Sequence, residues 1–442
     1  MQTQEEIKQL EAIIQETLDE AKKQGASSAT AGLSVDTGLS VNVRLGDVDT
    51  IEHHTAQGLG VTVYFGQKKA SASSTNLSAK SIKETVSAAC SIARYTSEDK
   101  YAGLPDADRL ATEFKDLDLY HPWQLEADSA VELAVQCEDS AREFDEISNS
   151  EGASVDTFSG LHVFGNSLGF LHGYATTRHS ISCSVLGERD GNMERDYWYS
   201  VARNQQDLED VAQIGKKAAE RTIKRLGARH LSTRKAPVLY SAEVAGGLIG
   251  SLLGAISGSS LYRKSSFLLD SLETQLFPEF IQIYEQPHLL GALGSAMYDA
   301  EGIATQAHDI IKDGVLKTYL LSTYTARKLQ MQSTGHAGGV HNLCVQSGEQ
   351  DFTQLLQTMN TGLLVTELMG QGVNPVTGDY SRGASGFWVE NGIIQYPVEE
   401  ITIAGNLKDM FQHIVAVGND IDTRGNVRMG SVLIEEMAIA GE

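Results

Sequence analysis

The sequence predicts an α+β protein in two parts. Residues 1–227 form an N-terminal α/β domain with helices on a mixed or antiparallel sheet. Residues 237–442 form a C-terminal, glycine-rich, β-dominated domain, antiparallel and barrel-like. Three observations carry this reading. The chain has 442 residues, and a single core stops growing at roughly 250–300 residues, so two domains or more are expected. Apolar residues switch between helical and strand-like periods up to residue 226. Beyond it come short β runs between glycines, which favour a curved antiparallel layer over parallel nucleotide-binding units.

Residues 4–24 predict the first helix, because Ile7, Leu10, Ile13, Ile14 and Leu18 recur at helical spacing. Residues 29–75 change period: SVNVRL (40–45) and GVTVYF (60–65) read as strands broken by Gly and Asp turns. Asn76–Ser78 lead into a helix over 79–95 that turns Ile82, Val86, Ala89, Cys90 and Ala93 inward, Cys90 acting as a small buried hydrophobe. Residues 97–123 are polar and irregular, since Pro105 and Pro122 push the residues before them out of helical geometry. Another helix is expected near 125–143. Residues 144–200 predict an antiparallel meander, from the alternation in TRHSISCSVL (177–186) and turn signals at Asn149–Gly152, Asn166-Ser167 and Asp190-Gly191-Asn192. A helix over 205–226 follows, with Asp207, Glu209 and Asp210 near its start, Lys224 and Arg225 near its end, and Gly227 as its stop.

The segment GARHLSTRKAP joins that helix to the strand PVLYS (237–241). Next, AEVAGGLIGSLLGAISG (242–258) sets Gly246, Gly250, Gly254 and Gly258 along one side of a helix, with Leu248, Leu252 and Ile256 opposite. Glycine weakens an exposed helix, so the stripe implies close approach of another backbone. GLLVTEL (362–368), GFWVENGIIQYPV (386–398), ITIAG (401–405) and SVLIEEMAI (431–439) supply the strands of the second domain.

Charge narrows the function. Lys and Arg total 35 against 58 Asp and Glu, a net −23, which repels phosphate backbones and anionic lipid. Direct nucleic-acid or membrane binding is not expected, and unfolded or basic polypeptide is tolerated better as a partner. Cys90, Cys137, Cys183 and Cys344 are far apart with no C-x-x-C pair, which fits a reducing compartment. The start, MQTQEEIKQLEAII, lacks an apolar signal-peptide core. The most apolar window, Val244–Ile256, is too short and glycine-rich for a membrane span. A cytoplasmic protein is expected.

A catalytic zinc wants about three protein ligands and an open water position. None of the twelve histidines falls in H-E-x-x-H. His53 and His54 are adjacent and point to opposite faces of a strand. His162, His172 and His179 lie in the meander and read as surface or hydrogen-bonded side chains. His336, His341 and Cys344, in STGHAGGVHNLC, sit in a glycine-rich turn with no acidic base fixed beside it in sequence. They read as a structural turn, with a polypeptide-facing loop or a metal site as alternatives. No strand–helix G-x-G-x-x-G and no phosphate loop occurs.

Four segments carry a resemblance over essentially the full chain: SLGFLHGY (167–174), PVLYSAEVAGGLIGSLLGAISGSSLYRKSSFL (237–268), GQGVNPVTGDYSRGASGFWVENGIIQYPVEEITIAGNL (370–407) and VGNDIDTRGNVRMGSVLI (417–434). The chain resembles the TldD/PmbA family, by name linked to modulation of DNA gyrase, and within it the PmbA branch, also called TldE. The resemblance implies a two-subunit peptidase. A TldD-type partner binds zinc through H-E-x-x-x-H and a C-terminal cysteine, and the pair encloses a cavity where unfolded or extended peptides are cut. On this chain Ser241 stands at the first histidine, Ala242 at the glutamate and Gly246 at the second histidine. Glu243 is one position off, about 100° around a helix. The cysteine would fall near Gly418–Arg424, which reads GNDIDTR; Asp420 and Asp422 there are weak evidence for a hard cation. The resemblance therefore implies no catalytic residue, metal ligand or cofactor in this chain, with zinc in the TldD-type partner.

Three roles compete. The first is a non-catalytic subunit that shapes the cavity and presents sheet edges to substrate. Asn374, Thr377, Asp379, Tyr380, Ser381 and Arg382 are its candidate substrate or interface residues, with a tight structural hairpin as the alternative. The second is a binding or regulatory homodimer without a peptidase partner. The third is an independent hydrolase using Ser241, although G-x-S-x-G is missing.

Overall fold

The computed structural model describes residues 2–441. Its first half is one sheet with four helices. Helix α1 (Gln2–Lys23) precedes strands β1 (Ser28–Arg44), β2 (Asp47–Phe65) and β3 (Lys68–Ser74). Helix α2 (Ala79–Tyr95) starts where the Ser78 hydroxyl accepts the Ser81 N–H. Helix α3 (Ala127–Arg142) leads to β4 (Ile147–Asn166), β5 (Leu171–Arg189), β6 (Asn192–Ala202) and helix α4 (Val211–Arg225). The strands are ordered β3-β2-β1-β4-β5-β6, and every ladder is antiparallel. Alternate residues of β1, from Ala29 and Ala31 to Val41 and Val43, face inward. They pack with α1 and α2 in one cluster and with α3 and α4 in a second.

Two expectations change here. Asn149–Gly152 is not a turn: it lies inside β4 as a double irregularity of register, with Gly152 at φ +116°. The last helix of this half begins at Val211 rather than 205, because Asp210 caps it by accepting the Gln213 N–H. Asp207 belongs to a separate turn at Gln205–Asp207, and Glu209 faces Lys217 and Trp198 instead of a helix end.

The second half begins with β7 (Arg234–Tyr240) and helices α5 (Ala242–Ala255) and α6 (Gly258–Tyr262). Short strands β8 (Ile283–Glu285), β9 (Asp309–Lys312) and β10 (Val315–Leu316) follow, then helix α7 (Thr323–Leu329), β11 (Leu343–Val345) and helix α8 (Phe352–Met359). The chain continues with β12 (Gly362–Met369), β13 (Asp379–Glu390), β14 (Ile393–Asn406), helix α9 (Leu407–Gln412), β15 (Ile414–Val417), β16 (Val427–Arg428) and β17 (Val432–Ala440).

Strands β14-β13-β12-β7-β17 close into a five-stranded barrel through Thr402↔Ala440, Ile403↔Ile439 and Ala404↔Ala438, and β15 hangs on β17. A smaller sheet runs β10-β9-β8-β11-β16. The layers are not purely antiparallel: β7 pairs β12 in parallel, as does β11 with β16. Long connections separate both pairs, and parallel pairing needs such crossovers. Leu248 and Ile249 of α5 meet Phe277, Ile283, Phe411 and Val432 in the core between barrel and small sheet.

The glycine stripe differs from expectation. A Cβ at Gly246, Gly250 or Gly254 would meet nothing within 4 Å; among the four, only Gly258 is tightly packed, against Thr325 and Leu321. The leucine side of α5 is the packed side, and the glycines face open space. Among the described residues, no helix is long and apolar enough to cross a membrane.

Candidate functional site

Strand β7 ends at Tyr240, fully buried in the barrel, and the chain turns at Ser241 into α5. Ser241 donates its N–H to Val365 O (3.0 Å). Its hydroxyl caps nothing, and its Oγ is buried without a partner. This turn opens into a cleft of about 790 Å³ between the first-half sheet and the barrel. Asp196 and Trp198 of β6 and Arg221 and Lys224 of α4 form one wall. Leu364, Phe387, Ile394 and Tyr396 form the other. Ser241, Ala242 and Glu243 lie between them, with the loop Asp420–Arg424. The fold thus gathers the start of α5 and the 418–424 loop, distant in sequence, into one place. Gly246 lies further along α5 and does not line the cleft.

The cleft carries an ion-pair network. Arg424 grips Asp422 through Nε (3.0 Å) and Nη2 (2.8 Å) and donates to Tyr199 O (3.3 Å). Its guanidinium lies 4.3 Å from the Trp198 ring centre and 4.5 Å from that of Tyr199, a cation–π arrangement. Glu243 accepts from Arg221 (2.9 Å) and lies 4.0 Å from Arg424. Arg221 also reaches Asp196 (3.3 Å). Behind it Arg225 joins Glu194 (3.2 Å), Asp196 (3.7 Å) and Glu367 of β12 (2.6 Å). Burial alone would raise the Asp422 carboxyl, but the Arg424 hydrogen bonds and charge outweigh it and hold it below the usual carboxylate range. Burial, with a hydrogen bond shared with Glu399, pushes Glu194 up to about 7.

These residues do not fit a zinc ion. Ser241, Ala242 and Gly246, which the resemblance sets at the positions of a TldD-type zinc helix, carry a hydroxyl, a methyl group and a hydrogen. Glu243 and Asp422 are spent on guanidinium groups, and Asp420 accepts the Ser431 N–H (2.9 Å) and Oγ–H (2.6 Å). Among the described residues, no three His, Cys, Asp or Glu side chains come together as a metal site. Ser241 Oγ bonds to no histidine, so nothing here activates it as a nucleophile.

The 374–382 segment lies away from the cleft. Asn374 Oδ1 accepts from the N–H of Val376 (3.0 Å), and Thr377 Oγ1 donates to Asp379 Oδ2 (2.6 Å). Tyr380 is only 2% exposed, inside the barrel. Ser381 is exposed, and its N–H meets Gly372 O (2.7 Å); Arg382 is half-buried over Met369 O (3.5 Å). His179 is buried between Thr157 (2.8 Å) and His121 O (2.9 Å). His336 has a partner that local sequence did not reveal: Glu285 of β8 lies 2.5 Å from Nε2 and also accepts the His341 N–H (2.7 Å). An acidic group is therefore fixed beside that turn. Cys344 is buried beside Asn342 O.

The network residues Trp198, Arg221, Glu243 and Arg424 were not singled out by sequence reasoning. Glu243 came nearest, as the misplaced acid beside Ala242.

The chain has a metallopeptidase-type scaffold. Models described as PmbA/TldA metallopeptidase domain 1, central domain and C-terminal domain match residues 29–93, 120–226 and 233–441 in that order. The chain belongs to the TldD/PmbA family, in its PmbA/TldE branch. It is 54% identical to Metalloprotease PmbA of Escherichia coli O157:H7, over 94% of this chain and 93% of that one. It is 49% identical to a Metalloprotease PmbA homolog of Haemophilus influenzae, over 95% and 94%. A Bacteroides thetaiotaomicron crystal structure bearing the name modulator of DNA gyrase superposes with TM-score 0.93 at 29% identity, covering 98% of each chain. TldE from Thermococcus kodakarensis, at 20% identity and TM-score 0.86 over 97% of this chain and 100% of its own, shares the fold.

Proposed function

We propose that this chain is the non-catalytic subunit of a two-component, cytoplasmic zinc metallopeptidase that cuts unfolded or extended peptides. A TldD-type relative brings the zinc and the general base. This chain brings one wall of the substrate cavity. The observation that carries the proposal is the network of Arg221, Glu243, Asp422 and Arg424 at the place where a catalytic subunit needs ligands and a base. Activating water requires a held metal and a free carboxylate, and each acid beside α5 is bound elsewhere. The cleft, with β6 on one lip and the apolar side chains Ile394 and Tyr396 on the other, suits an extended backbone with apolar side chains.

The exposed Asn374, Thr377, Asp379 and Ser381 and the half-buried Arg382 are secondary candidates for contact with substrate or partner, with Tyr380 buried behind them. Residues 1–227 and 237–442 are proposed as the two units flanking the cleft. The four free, buried cysteines suit a reducing cytoplasm.

Co-expression with a TldD-type relative tests this. Proteolysis of an unfolded substrate is expected only from the pair, and is lost when the relative's zinc-helix glutamate is replaced. Chelator-sensitive digestion by this chain alone would overturn the proposal.

A further inference from the structure

Strand β2 is nineteen residues long, and β3 pairs with it only from Leu59 to Phe65. On its other side β1 pairs from Asp47 to Tyr64, with one register shift that leaves Asp49 unpaired between Val48 and Thr50. The stretch Asp47–Gln57 therefore has one free edge, and all of its residues are exposed. Natural edges of this length are usually blunted by charged side chains, lysine above all, by proline, by a bulge or by a covering element; here the register shift at Asp49 is the one bulge. Between Leu45 and Gln67 there is no lysine, arginine or proline. The edge carries instead three carboxylates, Asp47, Asp49 and Glu52, and none makes an ion pair among the described residues. Val48 and Ile51, 48% and 44% exposed, stand beside them.

We propose that Asp47–Gln57 is a docking edge for an extended polypeptide segment rich in lysine or arginine, which adds to the sheet as a strand. Only an extended backbone satisfies a row of free N–H and C=O groups. Unspent negative charge selects a basic side-chain set, and the aliphatic pair receives the residues between. A second copy fits less well, since antiparallel self-pairing brings two sets of three carboxylates to one seam, where Arg44, in register with Asp47 on β1, is the one nearby cation. The edge is four strand spacings from β6, roughly 20 Å from the cleft lip at the usual strand spacing, so it acts as a separate foothold. The idea rests on the proposed function only in taking extended polypeptide as substrate. Its test needs no proteolysis, so its failure is distinct from failure of the two-subunit reading.

The probe is a fluorescently labelled, unstructured peptide of alternating lysine and valine, with a glutamate–valine peptide as control, titrated into the isolated chain. Binding of the basic peptide alone is expected, falling as salt rises from about 0.05 M to about 0.5 M. The triple variant Asp47→Lys, Asp49→Lys, Glu52→Lys should weaken it at least tenfold and admit the acidic peptide. Thr50→Pro and Ile51→Pro remove neighbouring N–H groups that point to opposite sides of the strand. One should lower binding with the fold retained, and the other should disturb the β1 ladder. Should the proline variants unfold, amide-exchange protection of 47–57 on adding peptide to the unaltered chain decides. Equal binding by the lysine variant, or no protection there, overturns the proposal. So does a dimer that the lysine variant disperses and the peptide does not, which would assign the edge to a second copy.

Discussion

Replacing Arg225 with methionine tests whether ion pairing holds the first-half sheet to the barrel. Arg225 leaves α4 with its side chain 17% exposed and meets Glu194 (12%) and Asp196 (8%) of β6 and Glu367 (38%) of β12. Methionine keeps most of the aliphatic stem and removes the charge. Breaking a buried pair by deleting one partner costs about 3–5 kcal/mol, because the other charge stays buried. Asp196 retains Arg221 at 3.3 Å, so about 3 kcal/mol is the expected loss at about pH 8. The pH dependence follows from Glu194, whose carboxyl is pushed up to about 7 in the fold. A carboxyl raised on folding stabilises the fold at low pH, and that contribution is lost as pH rises through about 7. Below that point Glu194 is largely neutral and needs Arg225 less. The loss should therefore be clearly smaller at about pH 6 than at about pH 8. Urea unfolding at both pH values, followed by tryptophan fluorescence and circular dichroism, measures it. A loss under about 1 kcal/mol at pH 8, or the same loss at both, would refute the reasoning.

Alanine at Gly250 should stabilise the isolated chain by about 0.5–1 kcal/mol, since its Cβ meets nothing within 4 Å; thermal unfolding checks the direction. Alanine at Gly258 should destabilise it, because its Cβ would press into Thr325 and come within 2.9 Å of Leu321. Only a drop in midpoint fits. Alanine at Glu285 leaves His336 Nε2 and the His341 N–H without their buried acceptor (Glu285 and His336 side chains 2% and 1% exposed) at a cost of about 1–3 kcal/mol, and limited proteolysis should then cut within 333–342. Resistance equal to that of the unaltered chain would show that the pair does not hold this turn.

What could be read from the chain depended on how far apart the informative residues lie. Helix α2 was legible to its ends, Ala79–Tyr95, because its apolar stripe and the Ser78 cap sit within twenty residues. The length of β2 was not, because Asp47–Gln57 is exposed on both faces and leaves no alternating pattern to count. The glycine stripe of α5 was legible as a stripe, yet its environment was not: spacing shows which residues share a face, not whether anything covers it. The candidate site divides the same way. A zinc helix is a contiguous motif, so a resemblance that sets Ser241, Ala242 and Gly246 at its ligand and base positions is read within six residues. The network beside them is drawn from Asp196, Arg221, Glu243 and Arg424, on four separate elements, and no local spacing announces it. Without Arg221 and Arg424, Glu243 would face the cleft as an unpaired acid. Two guanidinium groups instead neutralise it and span β6, α4, α5 and the 418–424 loop. The charge a metal would supply to carboxylates is here supplied by arginine, whose planar donors hold acids at fixed angles without offering an open coordination position for water.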